Sequence, residues 1–549
     1  MPSVEDVKAA SRSLRGALSQ ELTDETPAFS ADSGHLLKFH GIYQQDDRDV
    51  RRERTRSGHE PDHIFMVRAS VPGGALSATQ WLAIDRLADT VADGTFRLTS
   101  RGGIQLHFAR KEGLAPLIRS LDEHLVTTLA ACGDVVRNIV ACPAPLADSR
   151  QKVLLDLAQR LAVRFRPRTR AYYEVWIDGE PALSAAEAEP ATDLEPLYGT
   201  TYLPRKFKIG LAWPGDGCTD LFSHDLGLVP ITGTDGADGF AVLVGGGLGA
   251  THARPDDTFP RLADLLGWVP AEAVEDLAEA VVLAYRDLGD REDRKRARLK
   301  YVLEDIGVAA FRREVEARLG ARLAPAPALP PWQAHDHLGW HSQDDGRWFL
   351  GVPVPSGRVT GAWRAALAEV VERHRTDLRV TPRQDVLLTG IDDAERTAVE
   401  AVFRRHGVAL AGDLAPVRRL AMACPALPTC GQALAEAERV APDVLSVMEG
   451  ELGRRGLSGL DLHVRMTGCP NGCARPYTAE IGIVGRSKTG YDVHLGGAPG
   501  GDRLARPAAR GVKLADLPSV LGPWFDRFAT EREPGESFGD FVHRTGSLA

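Results

Sequence analysis

Four cysteines stand in two tight pairs late in the chain, Cys424 with Cys430 and Cys469 with Cys473. Four thiolates are the usual complement for holding a [4Fe–4S] cluster. Pro425, Gly468, Pro470 and Gly472 flank them, and such residues let the backbone fold closely around an inorganic cube and send amide N–H groups towards its sulfurs. Two other chemistries compete on the residues alone. A structural zinc also takes four cysteines, although its knuckles usually have two to four intervening residues and the first pair here has a wider gap. The third is plain burial of inert thiols. The stretch from Gln432 reads as a long helix that would bring a positive helix N-terminus to a cluster at Cys430.

A second group is cationic. In Lys206-Phe207-Lys208, residues two apart on an extended segment point to the same face, so both ammonium groups can enter one pocket. The plain alternative is a solvent-facing basic stretch. Gly245-Gly-Gly247-Leu-Gly249-Ala250 follows the apolar run Ala241 to Val244 and invites comparison with a dinucleotide fold. His252, Arg254 and Pro255 stand where a helix should start, and no acidic ribose partner is evident, so a dinucleotide fold is set aside.

The elements that must position these groups come in two copies. Arg97-Leu-Thr99-Ser-Arg101, Arg137 and Cys142 are matched by Arg379-Val-Thr381-Pro-Arg383, Arg419 and Cys424, each at the same offset of 282 residues. A shared offset implies an internal duplication and a pseudo-twofold architecture. Around each copy lies a short alternating strand pattern, as in Ile104, Leu106 and Phe108, then a helical stretch such as Leu114 to Leu125. That order predicts α+β domains packed about a shared centre. Asp276 to Leu288 has helical spacing, and the charged run after it, through Arg298, reads as a solvated helix face. A Pro-rich stretch from Arg322 to Trp332 predicts a linker between the halves.

With 549 residues the chain needs several cores, and 43% hydrophobic with 26% charged residues excludes a disordered or membrane-embedded protein. No apolar stretch resembles a membrane span, and Met1 to Gln20 lacks a secretion signal, which makes a cytoplasmic location the expectation. A net charge of −9 argues against nucleic acid as a partner. Seven cysteines, of which Cys132, Cys142 and Cys218 are scattered, do not make a disulfide framework.

Cys424-Pro-Ala-Leu-Pro-Thr-Cys430 with Thr467-Gly-Cys469-Pro-Asn-Gly-Cys473 resembles the cluster signature of the sirohaem-dependent nitrite and sulfite reductases. Tyr198 to Lys208, Leu243 to Leu248, Asp134 to Asn138, His40 to Asp49 and Gly535 to Asp540 resemble further segments of that family, so the likeness spans almost the whole chain. It implies a three-domain α+β fold with duplicated ferredoxin-like half-domains. The domains expected are an arm at 1–65, a discontinuous pseudo-symmetric domain at 66–130 and 331–407, a sirohaem and substrate domain at 131–322, a linker at 323–330 and a cluster domain at 408–549.

The resemblance also implies sirohaem and a [4Fe–4S] cluster as cofactors, with Cys424, Cys430, Cys469 and Cys473 holding the cluster and Cys473 also bridging to the sirohaem iron. Arg68, Arg137, Lys206 and Lys208 correspond to the family's substrate cations. Arg97, Thr99, Arg101, Gln105, His107, Asn138 and Arg205 match positions near sirohaem, whose eight carboxylates favour arginine neighbours. Arg379, Arg383 and Arg419 are read as structural copies. The activity implied is reduction of sulfite to sulfide. The alternatives are nitrite reduction, against which Lys208 argues because the nitrite enzymes carry asparagine there, and a non-catalytic zinc-binding relative. His40 to Asp49 and Gly535 to Asp540 resemble the haemoprotein subunit that works with an NADPH-dependent flavoprotein, with ferredoxin as the alternative donor. Cys132 and Tyr43 are a candidate cross-linked pair by the same resemblance.

Overall fold

The computed structural model describes residues 3–146, 151–177, 195–234 and 236–546. Helices and strands alternate through it, and the strands form four sheets of five among the described residues.

Two of these sheets are antiparallel and carry the Arg-x-Thr-x-Arg segments. The first runs Ile42–Asp46, His63–Ala69, Ile104–Ala109, Phe96–Leu98 and Arg358–Val359. The second runs Gly339–Ser342, Trp348–Val352, Val386–Ile391, Asp377–Val380 and Ala75–Leu76. Each sheet thus ends on a strand from the other half. Arg358 pairs with Arg97, and Ala75 pairs with Arg379. This reciprocal exchange is the pseudo-twofold axis expected from the sequence offset, and it covers one edge of each sheet with a borrowed strand. Helices Ala78–Val91 and Leu114–Glu123 belong to the first unit, Gly361–His374 and Arg396–Arg405 to the second. Their apolar faces share one core that includes Trp81, Ile84, Leu117, Leu367, Val370 and Phe403.

The other two sheets also match each other. Val140–Ala141, Ile209–Leu211 and Leu226–Pro230 are parallel, and Gly239–Val244 and Asp264–Pro270 are antiparallel additions. Met422–Ala423, Val464–Thr467 and Ile481–Gly485 are likewise parallel, followed by antiparallel Tyr491–Leu495 and Arg506–Val512. The duplication therefore extends through all four sheets. Loops leaving the ends of the short parallel strands carry Cys142 in one copy and Cys424 in the other.

Residues 3–41 fold back on the body. Lys8 Nζ donates to the Leu203 carbonyl at 3.0 Å, Arg15 pairs with Glu174 at 2.5 Å, and Trp176 Nε1 donates to His40 Nδ1 at 3.0 Å. Arg48 reaches the cluster loop, donating to the carbonyls of Cys430 at 3.1 Å and Ala433 at 2.7 Å.

Two expectations are corrected. The chain after Cys430 turns without forming a helix until Glu438, and the helix proper is Ala441–Gly453. Helix Val274–Leu288 stops at Gly289, and the charged run beyond it is a non-helical, largely half-buried connector, exposed at Asp290, Glu292 and Lys295 and buried at Ala297 and Arg298, not a solvated helix face. Arg294 pairs with Asp134 at 2.8 Å and Arg298 with the fully buried Asp225 at 2.7 Å. A run of basic residues can be held inside when the carboxylates that neutralise it come from distant parts of the chain.

Candidate active site

The cysteine quartet lies on loops after the parallel strands Met422–Ala423 and Val464–Thr467. Cys424 and Cys469 are buried, Cys430 is half-buried and Cys473 is exposed. The amide of Gly468 donates to Cys424 Sγ at 3.3 Å. A Cβ on Gly468 would sit 2.5 Å from the Ala435 carbonyl oxygen, so only glycine brings this amide to the sulfur. Amides of Gln432 and Ala433 face Cys430, and Asn471 faces Cys469. Burial pushes the thiols of Cys424, Cys430 and Cys469 up, and the charge of Cys473 pushes all three further. Such thiols become thiolates only against compensating metal charge. Ligands of one tetrahedral zinc would stand about 3.8 Å apart, whereas no three of the four sulfurs lie within 4.8 Å of one another. The quartet is not drawn together as the ligands of a single ion would be.

The exposed Cys473 faces the cations. Ser100 Oγ donates to the Cys473 carbonyl at 2.7 Å, which ties the Arg-Leu-Thr-Ser-Arg segment to the cluster loop. Arg68, Gln105, Arg97 and Arg358 form one row across four strands, each opposite the next in register. Opposite residues in antiparallel strands project to one face, and His107 joins that face two residues beyond Gln105. With its amide oxygen towards Arg68, Gln105 accepts from Arg68 Nη2 at 2.5 Å. Arg68 Nη1 lies 2.9 Å from Cys132 Sγ, and its guanidinium stands 5.9 Å from the Tyr43 ring centre, so Arg68 contacts both members of the candidate cross-linked pair.

Arg137 is laced to the lysine segment. Its backbone N–H donates to the Phe207 carbonyl at 2.8 Å, and Phe207 N–H to the Val135 carbonyl at 3.0 Å. Phe207 is buried while Arg205, Lys206 and Lys208 are half-buried, so the two lysines flank an inward-facing Phe207. Desolvation, with Arg205, Arg298 and Arg137 nearby, brings Lys206 down to about 7. Lys208 is held well below its ordinary range by burial, then by Arg101 and Arg298. Arg205 stands 3.7 Å from Asp134.

The remaining expected residues divide into two sorts. Arg97 pairs with Glu438 and donates to the Ala423 carbonyl at 2.6 Å, which fills its guanidinium with protein partners. Thr99 Oγ1 accepts the amides of Gly103 and Arg101, at 3.1 and 3.3 Å, and shapes the turn. Asn138 bridges Val71 and the Arg101 carbonyl, and Arg101 Nη2 donates to the Asn138 carbonyl at 2.5 Å. These groups position the segment. By contrast, both ring nitrogens of the buried His107 and Nε of Arg101 have no hydrogen-bond partner in the protein. Orphaned buried donors next to an exposed thiol and several cations fit a polar, carboxylate-bearing cofactor. Of the duplicate arginines, Arg419 pairs with Asp336 at 2.8 Å, Arg379 sits in the second sheet, and Arg383 is buried with no partner for its guanidinium nitrogens.

Sequence reasoning missed Asp225, Arg298 and Lys300. Asp225 takes the backbone N–H of Lys208 at 2.9 Å and the Arg298 guanidinium, so it sets the lysine segment. Lys300 Nζ donates to the Gly247 and Gly249 carbonyls, at 3.1 and 2.7 Å, which holds the glycine loop against the cluster loop where Ala250 N–H meets the Pro470 carbonyl at 2.9 Å. Arg298 and Lys300 repeat the two-residue spacing of Lys206 and Lys208, and that was the available signal.

A pseudo-twofold α+β fold that gathers four thiols on neighbouring loops beside a group of cations is the frame of an iron–sulfur reductase. The family model described as the nitrite and sulphite reductase 4Fe-4S domain matches residues 157–323, and that of the nitrite/sulfite reductase ferredoxin-like half domain matches 56–124 and 341–406. The "Sulfite reductase [ferredoxin]" of Synechococcus elongatus is 44% identical over 99% of this chain and 89% of its own length. The "Sulfite reductase [NADPH] hemoprotein beta-component" of Myxococcus xanthus is 44% identical over 99% of this chain and 96% of its own. The solved Mycobacterium tuberculosis NirA protein superposes with a TM-score of 0.79 at 26% identity, covering 98% of this chain and 96% of that one. The chain belongs to the nitrite and sulfite reductase family, whose cofactors are sirohaem and a [4Fe–4S] cluster.

Proposed function

We propose that this protein reduces sulfite to sulfide with six electrons. The observation that carries the reading is the pair Lys206 and Lys208 flanking the buried Phe207, with Arg137 laced to that segment, Arg68 sharing the Ala131 carbonyl with Arg137, and Cys473 near both Lys206 and Arg68. Sulfite is a dianion, and an additional cation suits it better than singly charged nitrite. When bound, the sirohaem and cluster would relay the donor's electrons to the substrate. Arg68 and Arg137 stay charged and orient the oxygens, while lysines of lowered pKa are placed to give protons as each oxygen leaves as water. Cys424, Cys430, Cys469 and Cys473 would hold the cluster, with Cys473, the exposed member, shared with the haem. His107, Arg101, Arg205 and Gln105 would face the haem carboxylates, and Arg97, Thr99 and Asn138 would position them.

The domain division at 66–130 with 331–407, 131–322 and 408–549 accords with this assignment, the first piece carrying Arg68 and the haem-facing strand, the second Arg137 and the lysines, and the third the four cysteines. The donor we propose is a flavoprotein reductase component, as the name of the Myxococcus relative suggests. The equally similar Synechococcus relative supports ferredoxin as the second reading. No helix among the described residues is long and apolar enough to cross a membrane, and a cytoplasmic location accords with cysteines that are all free.

A visible spectrum with iron and acid-labile sulfide analysis, before and after adding sulfite to reduced protein, tests the reading. Haem bands that shift with sulfite, with four non-haem irons per chain, are expected. A colourless protein produced with adequate sirohaem and iron supply would overturn it.

A further inference from the structure

Away from the cluster loops, two more cysteines meet in the core. Among the described residues, one group of ligand atoms from His, Cys, Asp or Glu lies within 4.8 Å of one another: those of Cys142, Asp216, Cys218 and His337. Their exposures are 3, 6, 1 and 7%, so no solvent screens them. They arrive from three places. Cys142 follows strand Val140–Ala141, Asp216 and Cys218 belong to the turn at Gly217–Thr219, and His337 stands at the end of the segment joining the two halves, just before strand Gly339–Ser342. That segment is clipped beside the turn, Gln333 N–H donating to the Gly215 carbonyl at 2.8 Å and Gly217 N–H to the Gln333 carbonyl at 2.7 Å.

His337 Nε2 is 3.4 Å from Cys142 Sγ and 3.7 Å from Asp216 Oδ2. One ring nitrogen offers a single hydrogen or a single lone pair, so it cannot make a full hydrogen bond to both of these neighbours at once. Ligand atoms placed 2.0 to 2.3 Å from a tetrahedral zinc stand about 3.3 to 3.8 Å from each other, and the two separations from His337 Nε2 fall in that range. Asp216 Oδ1 accepts the Cys218 N–H at 2.8 Å, which turns Oδ2 inward in the manner of an outer hydrogen bond orienting a metal ligand. Neither cysteine forms a disulfide.

We propose that Cys142, Asp216, Cys218 and His337 bind one zinc ion in a closed structural site, distinct from the redox centre. Two thiolates, an imidazole and a carboxylate are a zinc donor set, and four protein ligands leave no position for a substrate. The ion fastens the segment between the halves to the turn after strand Ile209–Leu211.

Elemental analysis of the holoenzyme, with X-ray absorption at the zinc edge, tests this. The expected result is one zinc per chain beyond the iron of the two cofactors, bound by two sulfurs and two nitrogen or oxygen atoms. Cys218→Ser and His337→Ala should lower zinc at least tenfold while iron and acid-labile sulfide stay unchanged. His337→Cys, which restores a ligand, and His335→Ala, whose ring stacks 5.9 Å away without entering the group, should both keep it. Zinc at the level of the buffer blank, a four-sulfur zinc environment, or a Cys142–Cys218 disulfide in mass maps of the unreduced protein would each overturn the proposal. The wild-type measurements stand even where a variant fails to fold.

Discussion

Arg68 and Arg137 both direct Nη1 at the Ala131 carbonyl, at 3.5 and 3.3 Å, although 69 residues separate them in the chain. One backbone oxygen therefore fixes the separation of two guanidinium groups. A second anchor holds each of them, the Cys132 sulfur for Arg68 and the Gly133 carbonyl for Arg137, which Nε reaches at 2.7 Å. Two forks held this way are organised for an anion before it arrives.

Arg137→Ala should therefore lower kcat/KM for sulfite by roughly 10²-fold, the scale of losing one organised donor to developing charge. The haem spectrum should remain. Steady-state kinetics with a chemical reductant check this, and Arg137→Lys should recover only part because a point charge lacks the fork.

Lys206, brought down to about 7 by desolvation and by Arg205, Arg298 and Arg137, should lose its proton as the pH rises through neutrality. The protonated form is the anion binder and acid, so kcat/KM should fall on the alkaline side. Lys206→Arg should move that limb upward, because arginine stays charged. A limb unchanged in the variant would belong to the substrate's own ionisation.

Lys208→Asn removes one cation from the pocket while keeping a polar side chain. The ratio of kcat/KM for sulfite to that for nitrite should drop, by roughly tenfold if about 1.4 kcal/mol of charge stabilisation is lost. Competition assays with both anions measure it directly.

Glu438 is shared by Arg97 and Arg358, the latter at 2.7 Å. Burial opposes its ionisation, but the two arginines outweigh burial and hold the carboxyl below its ordinary range. A depressed carboxylate contributes stability above its unfolded pKa of about 4.3 and loses it as pH falls through the lower folded value. Glu438→Gln should cost about 3 kcal/mol at neutral pH, since Arg97 is left buried without its counter-ion. The difference from wild type should shrink in acid, as denaturant melts at several pH values would show.

The duplication, the grouping of four cysteines on neighbouring loops and the alternation of Lys206 and Lys208 about the buried Phe207 were legible because each is a matter of spacing along the chain. Strand alternation places residues two apart on one side, and a fixed offset marks a repeat whatever its fold. Arg298 was misread for the opposite reason. Its solvation depends on Asp225, 73 residues away in the chain, and no local pattern reports a distant counter-charge.

Sequence by itself determined the two halves, the α+β class, the thiols and most of the cations, because residue type and periodicity act locally. Tertiary structure alone decided that Arg97 is filled by Glu438 while His107 and Arg101 keep free donors, and that each of the two antiparallel sheets borrows its last strand from the other half. It also decided that Cys142, Asp216, Cys218 and His337 meet. Burial, pairing and ligand geometry are properties of groups brought together by the fold from far apart in the chain, and the interactions that set them do not exist until the chain has closed.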